Sequence, residues 1–163
     1  MPIELAQRWN TFLTAELGAA AALCGLLFVA VSINLKRILE FAHLPGRAAE
    51  SLLDLIGVVF VATFALIPGQ SIRALGIEIA LTGLFVWAAH TRSFIRSREY
   101  DRQYIGFTVR FLVNQLPPLP FVISGILFIS GRLAGLYWIV PGVLLSFASG
   151  LFGAWVLLIE IQR

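Results

Sequence analysis

Residues 71–91 read SIRALGIEIALTGLFVWAAHT. At about 1.5 Å per residue, a helix over these 21 residues measures about 31 Å, close to the hydrocarbon thickness of a bilayer. The stretch is apolar almost throughout, yet it carries Glu78 about a third of the way in and Thr82 one helical turn further along the same face. A carboxylate at such depth is costly and faces a partner, a cavity or a water-filled path. The stretch predicts a transmembrane helix around which the rest of the chain packs.

Working outward, Pro68-Gly69 predicts a tight turn that joins this helix to a preceding span over 49–67, as an antiparallel hairpin with Asp54 one turn inside its start. Before that, 14–35 reads as the first span. It opens on small residues (Ala15, Gly18, Ala19, Ala22), which permit close helix approach, and Lys36 and Arg37 follow it directly. Residues 1–13 carry apolar side chains at helical spacing and predict a short interfacial helix with Trp9 at headgroup level. On the other side, RSFIRSREYDRQY forms an arginine-rich connector. A fourth span over 105–130 is interrupted by Pro117, Pro118 and Pro120, with Asn114 and Gln115 immediately before the break. The fifth, 134–159, bears Gly142, Ser146, Gly150 and Ala154 at four-residue spacing, a ridge expected to lie against another helix within the chain or across a subunit boundary.

Composition agrees. Of 163 residues 59% are hydrophobic and 13% charged, and the mean hydropathy is +0.89, whereas a soluble domain is about 45–50% apolar and about 25% charged. The expected fold is one all-α domain, residues 1–163, a polytopic transmembrane helix bundle of about five spans. Four spans plus a broken or re-entrant fourth segment is the rival. The basic residues set orientation. Five spans with the N-terminus outside put Lys36, Arg37, Arg47, Arg92, Arg96, Arg98, Arg102, Arg110 and Arg163 in the cytoplasm, nine of the twelve, and leave Arg8, Arg73 and Arg132 outside. The same count reads the net charge of +3 as a topology signal rather than a nucleic-acid footprint.

Glu78, Thr82, Asn114 and Gln115 are the candidates for a polar layer near mid-membrane, as an ion or proton path or as a hydrogen-bonded packing element. Asp54 and Arg110 are expected to share one leaflet and pair, and Glu16 to pair with Arg73 or Arg132 on the other side. Enzyme chemistry finds no motif: there is no H-E-x-x-H and no G-x-S-x-G. The lone Cys24, and histidines at the membrane edge (His43, His90) read as polar caps, argue against a metal site or a cofactor.

The segments ELGAAAALCGLLFVAVSINLKRIL and LPGRAAESLLDLIGVVFVATFALIPGQ resemble a group of small bacterial inner-membrane proteins, some labelled modulators of a membrane-bound AAA protease. The resemblance covers about the first 70 residues and implies a multi-pass protein of the bacterial cytoplasmic membrane. The leading expectation for function is a homo-oligomeric small ion channel or transport-type pore. The other is a non-catalytic accessory or regulatory subunit of a larger membrane complex. The partners would be the lipid bilayer and either itself or that complex, with no nucleic acid.

The arginine asymmetry makes a direct prediction. With Cys24 replaced, single cysteines placed near Arg8 and near Arg98 should react differently with an impermeant thiol reagent on intact cells. Only the site near Arg8 should label, and labelling near Arg98 alone would reverse the topology.

Overall fold

The computed structural model describes residues 3–41, 44–101 and 114–162, and every element among them is helical. In chain order these are α1 (Ile3–Ile33), α2 (Leu35–Glu40), α3 (Leu44–Ala65), α4 (Ile72–Asp101), α5 (Pro118–Ile129) and α6 (Gly135–Gln162). Four stretches are long and apolar enough to cross a membrane: Gln7–Ile33, Leu44–Ala65, Ile72–Ile95 and Gly135–Ile159. Residues 105–113 of the expected fourth span lie outside the described residues, as does Arg110.

Polarity is distributed as lipid demands. Large apolar side chains stand outward (Ile33 78% exposed, Leu26 69%, Phe28 63%), while Asp54, His90, Ser124 and Ser146 are buried. In hydrocarbon every backbone polar group must find its partner inside the protein, which favours helices. The bundle is built to sit in a membrane.

The helix ends follow from local chemistry. The interfacial segment and the first span form a single unbroken helix, because nothing between Ile3 and Ile33 interrupts the hydrogen-bond ladder. That helix ends at Asn34, whose side chain donates back to the Ala30 carbonyl. Pro45 lies in the first turn of α3, where its missing amide proton is no loss. The Pro68-Gly69 turn forms with Gly69 at φ 72°, a conformation that glycine adopts without strain. Ser71 then accepts a hydrogen bond from the Ala74 amide at 3.2 Å, capping α4. The prolines fall where the helical backbone is interrupted, as expected: Asn114 and Gln115 are helical, 116–117 form a turn, and α5 follows. Pro117 is the N-cap of α5, and Pro118 and Pro120 fall in its first turn, where no intrahelical donor is required. At the far end of α5, Gly131 sits at φ 75°. There the Gly131 amide reaches Phe128 O and the Arg132 amide reaches Leu127 O, both at 2.9 Å, satisfying two otherwise orphaned carbonyls.

α3 is the central element. It packs on α1, α4 and α6, and 50% of its apolar window is buried, against 11% for α1. α4 and α5 lie antiparallel along a seam of glycines. A Cβ on Gly76 would stand 2.7 Å from the Gly125 carbonyl, one on Gly125 would meet Ala80 Cβ at 2.6 Å, and one on Gly83 would meet the Pro118 carbonyl at 3.1 Å. α6 closes on both partners. Ser124 of α5 donates to the Gly135 carbonyl at 2.8 Å, the Phe121 ring fills the space over Gly142, and Leu55 and the Ser51 carbonyl lie against Gly150.

The ridge on α6 is therefore used inside the chain. Gly142 and Gly150 take these contacts, Ser146 is 2% exposed, and Ala154 lines a small apolar cleft with Leu27 and Leu55. It is not free to serve as an assembly surface. The small residues of α1 behave in the opposite way: Ala15, Gly18, Ala19 and Ala22 are all exposed, and nothing lies within 4 Å of a Cβ built on Gly18.

Gly125→Leu must push α5 off α4, and overpacking of this kind costs roughly 1–3 kcal/mol. Gly25→Leu, at a position with nothing within 4 Å, should cost far less. Thermal unfolding in one detergent should rank the two in that order, and equal melting temperatures would show that the seam does not hold the helices.

Candidate functional site

The register of the α4–α5 seam decides which polar groups meet. With Gly76 opposite Gly125 and Gly83 opposite Pro118, the residues just before α5 come level with the last turns of the α4 span. Asn114 accordingly meets His90, and Gln115 meets Thr91, its Nε2 donating to the threonine hydroxyl at 3.1 Å.

His90 is 1% exposed and Asp54, from α3, is 2% exposed. The imidazole Nδ1 lies 2.7 Å from the backbone carbonyl of Asn114. A carbonyl only accepts, so Nδ1 carries a proton and donates it there. Nε2 then faces Asp54 Oδ1 at 3.3 Å, and neither of these two atoms has a hydrogen-bond partner elsewhere. A bare imidazole nitrogen against an ionised carboxylate would oppose two sets of lone pairs in a low-dielectric site. One proton between them removes that conflict, either as imidazolium with carboxylate or as imidazole with carboxylic acid. The geometry makes the pair a holder of one proton.

The surroundings are polar on one side only. One turn before Asp54, Glu50 accepts a hydrogen bond from Asn114 Nδ2 at 2.9 Å. Asn114 thus bridges α3 and α4 through its side chain and its backbone. Ser51 and Ser149 stand beside the carboxylates, and with Arg47 they line a cavity of about 570 Å³ whose remaining wall is apolar: Leu116, Pro117, Leu145, Phe152 and Val156. Ser51 lies so close under α6 that a Cβ on Gly153 would overlap its hydroxyl, so the absence of a side chain at Gly153 makes room for it.

The other expected polar residues are elsewhere. Glu78 is half-buried at the opposite end of α4 and accepts a hydrogen bond from Gln70 Nε2. Thr82 does not reach that carboxylate, because its hydroxyl donates to the Glu78 backbone carbonyl at 2.8 Å. Glu78 and Thr82 border an apolar groove with Phe60, Phe64 and Phe85. Asn114 and Gln115 are not at Glu78's depth: twelve residues of α4 separate Glu78 from His90, about 18 Å along the helix axis. The buried Ile79, Val86, Val58 and Val61 occupy the level between. The four residues expected to form one layer form two separate sites, because the α4–α5 register brings Asn114 and Gln115 level with His90 and Thr91.

Among the described residues Asp54 pairs with His90, while Arg110 lies outside them. Glu16, Arg73 and Arg132 make no ion pair with one another; both arginines are exposed and Glu16 is half-buried. Reading His90 as an interfacial cap missed the centre of the site. The available signal was the hairpin itself, since Asp54 and His90 stand at the same end of two helices joined at Pro68-Gly69. Among the described residues no group of three metal-ligating side chains forms. No protein-family model, curated protein or solved structure matches the chain.

His90→Ala leaves the Asp54 carboxyl buried without its partner, a change that typically costs about 3–5 kcal/mol. Glu78→Gln keeps the shape and can still hydrogen-bond Gln70, so its cost should stay near 1 kcal/mol. Unfolding of both variants in the same detergent should separate them clearly, and comparable losses would show that the two acids are equivalent structural elements.

Proposed function

We propose that this is a transport-type protein of a bacterial cytoplasmic membrane that binds and moves protons at the Asp54–His90 pair. The observation that carries the reading is the pair itself: a carboxyl and an imidazole, both almost fully buried, 3.3 Å apart beside a cavity that Asp54 lines. Ionisable groups inside a membrane bundle are costly, and they mark proton relays and ion sites.

In this reading the chain crosses the bilayer five times, with its N-terminus outside. What supports the fifth crossing is that the stretch from Asn114 to Ile129 accompanies α4 from the level of His90 down to that of Gly76. The 12 residues of α5 measure about 18 Å, and the 116–117 turn with Asn114 and Gln115 extends the segment toward the level of His90. The arginine count then puts the pair in the cytoplasmic half. Glu78, separated from it by a dry apolar layer, gives no continuous polar path across one chain. Access from one side at a time suits this arrangement better than an open pore.

Proteoliposomes reporting internal pH, energised by an imposed membrane potential, test the proposal. The wild type should carry protons, Asp54→Asn should lose most of that movement while eluting as a folded particle, and Glu78→Gln should keep it. Undiminished movement in Asp54→Asn, or none in the wild type, would refute the reading.

A further inference from the structure

The cavity beside the pair offers a second chemistry. At about 570 Å³ it falls in the range of small-molecule sites, about 300–1,000 Å³. Its mouth is apolar and faces outward, with Leu116 48% and Phe152 61% exposed, the lining that an opening toward hydrocarbon requires. Its inner wall carries Asp54 and Glu50 from α3, with Asn114, Ser51 and Ser149 around them.

Among the described residues the charged and titratable groups facing this site are Arg47, Glu50 and Asp54 on α3 and His90 on α4; those of α6 and of 114–117 bring none. While Asp54 and His90 hold their proton, the guanidinium and the Glu50 carboxylate balance. When the proton leaves, these described groups are short of one positive charge. A buried site of low dielectric does not tolerate that deficit. A monovalent cation can fill it, and apolar walls favour one whose charge is wrapped in hydrocarbon. Phe152 adds an aromatic face of the kind that attracts quaternary cations.

We propose that the cavity takes a lipophilic monovalent cation, a quaternary ammonium or phosphonium with apolar substituents, in exchange for the proton shared by Asp54 and His90. Only the N–H or O–H bond to that proton breaks, its electrons staying on the Asp54–His90 pair: the cation enters from the membrane side, and the displaced proton leaves to water. The inference rests on the reading of the pair as a proton site and adds the ligand that competes there.

Equilibrium dialysis of tetraphenylphosphonium against the purified full chain in a non-ionic detergent tests this. Between about pH 6 and about pH 8 affinity should rise by about tenfold per pH unit wherever about one proton is released per cation bound, both read in weakly buffered solution. Asp54→Asn should abolish the pH-dependent binding. Should that variant fail to fold, Ala148→Trp at the exposed rim of the cavity narrows the same space and should weaken binding about tenfold or more. No binding to the wild type, binding without proton release, or affinities unchanged by Ala148→Trp would overturn the inference. Proton movement by the wild type is measured without the cation, so that reading stands or falls separately.

Discussion

Lipid removes the usual reason for helices to associate, since apolar tails solvate a leucine as well as another leucine does. What holds α5 to α4 is therefore contact at close range, backbone against backbone, at Gly76, Gly83 and Gly125. Such a seam is unforgiving in register: shifting it by one residue would drive Ala80 or Val122 into the opposing main chain. Everything polar at the other end of α4 depends on it. Only in this register does the Asn114 carbonyl lie within reach of His90, and only then does the asparagine side chain reach Glu50.

The acid–histidine pair is a consequence of that alignment and of the α3–α4 hairpin together. α3 supplies the carboxyl, α4 the imidazole, and the turn before α5 the carbonyl that orients the ring. Because the carbonyl takes the Nδ1 proton, the remaining ring nitrogen has one direction and one partner. Three elements thus converge on a single proton, which links protonation of the pair to the way the helices meet.

Much of this architecture was legible in the residues. Uninterrupted apolar runs announce the long helices, and Pro68-Gly69 announces the hairpin, because both signals are local. The site was less so. Asn114 and Gln115 stand out in the sequence as polar groups beside an interrupted backbone, but their depth depends on the register of α5 against α4, which only packing fixes. His90 looked peripheral because its position on α4 lies near the end of the apolar run, and burial by α3 and the 114–117 turn is a tertiary fact. The ridge on α6 is visible in the sequence as small residues at four-residue spacing; only packing reveals that Phe121 and Leu55 occupy it.

The continuity of α1 has a further consequence. Its apolar stretch from Gln7 to Ile33 has 27 residues, about 40 Å of helix against a hydrocarbon layer of about 30 Å. The excess is absorbed by leaning or by stretching the surrounding lipid. α3, with 22 residues, fits the layer at about 33 Å. The two helices therefore prefer different bilayer thicknesses while packed on one another. A thicker membrane brings α1 upright and a thinner one lays it over, so its crossing angle on α3, the helix that carries Asp54, is set partly by the host lipid.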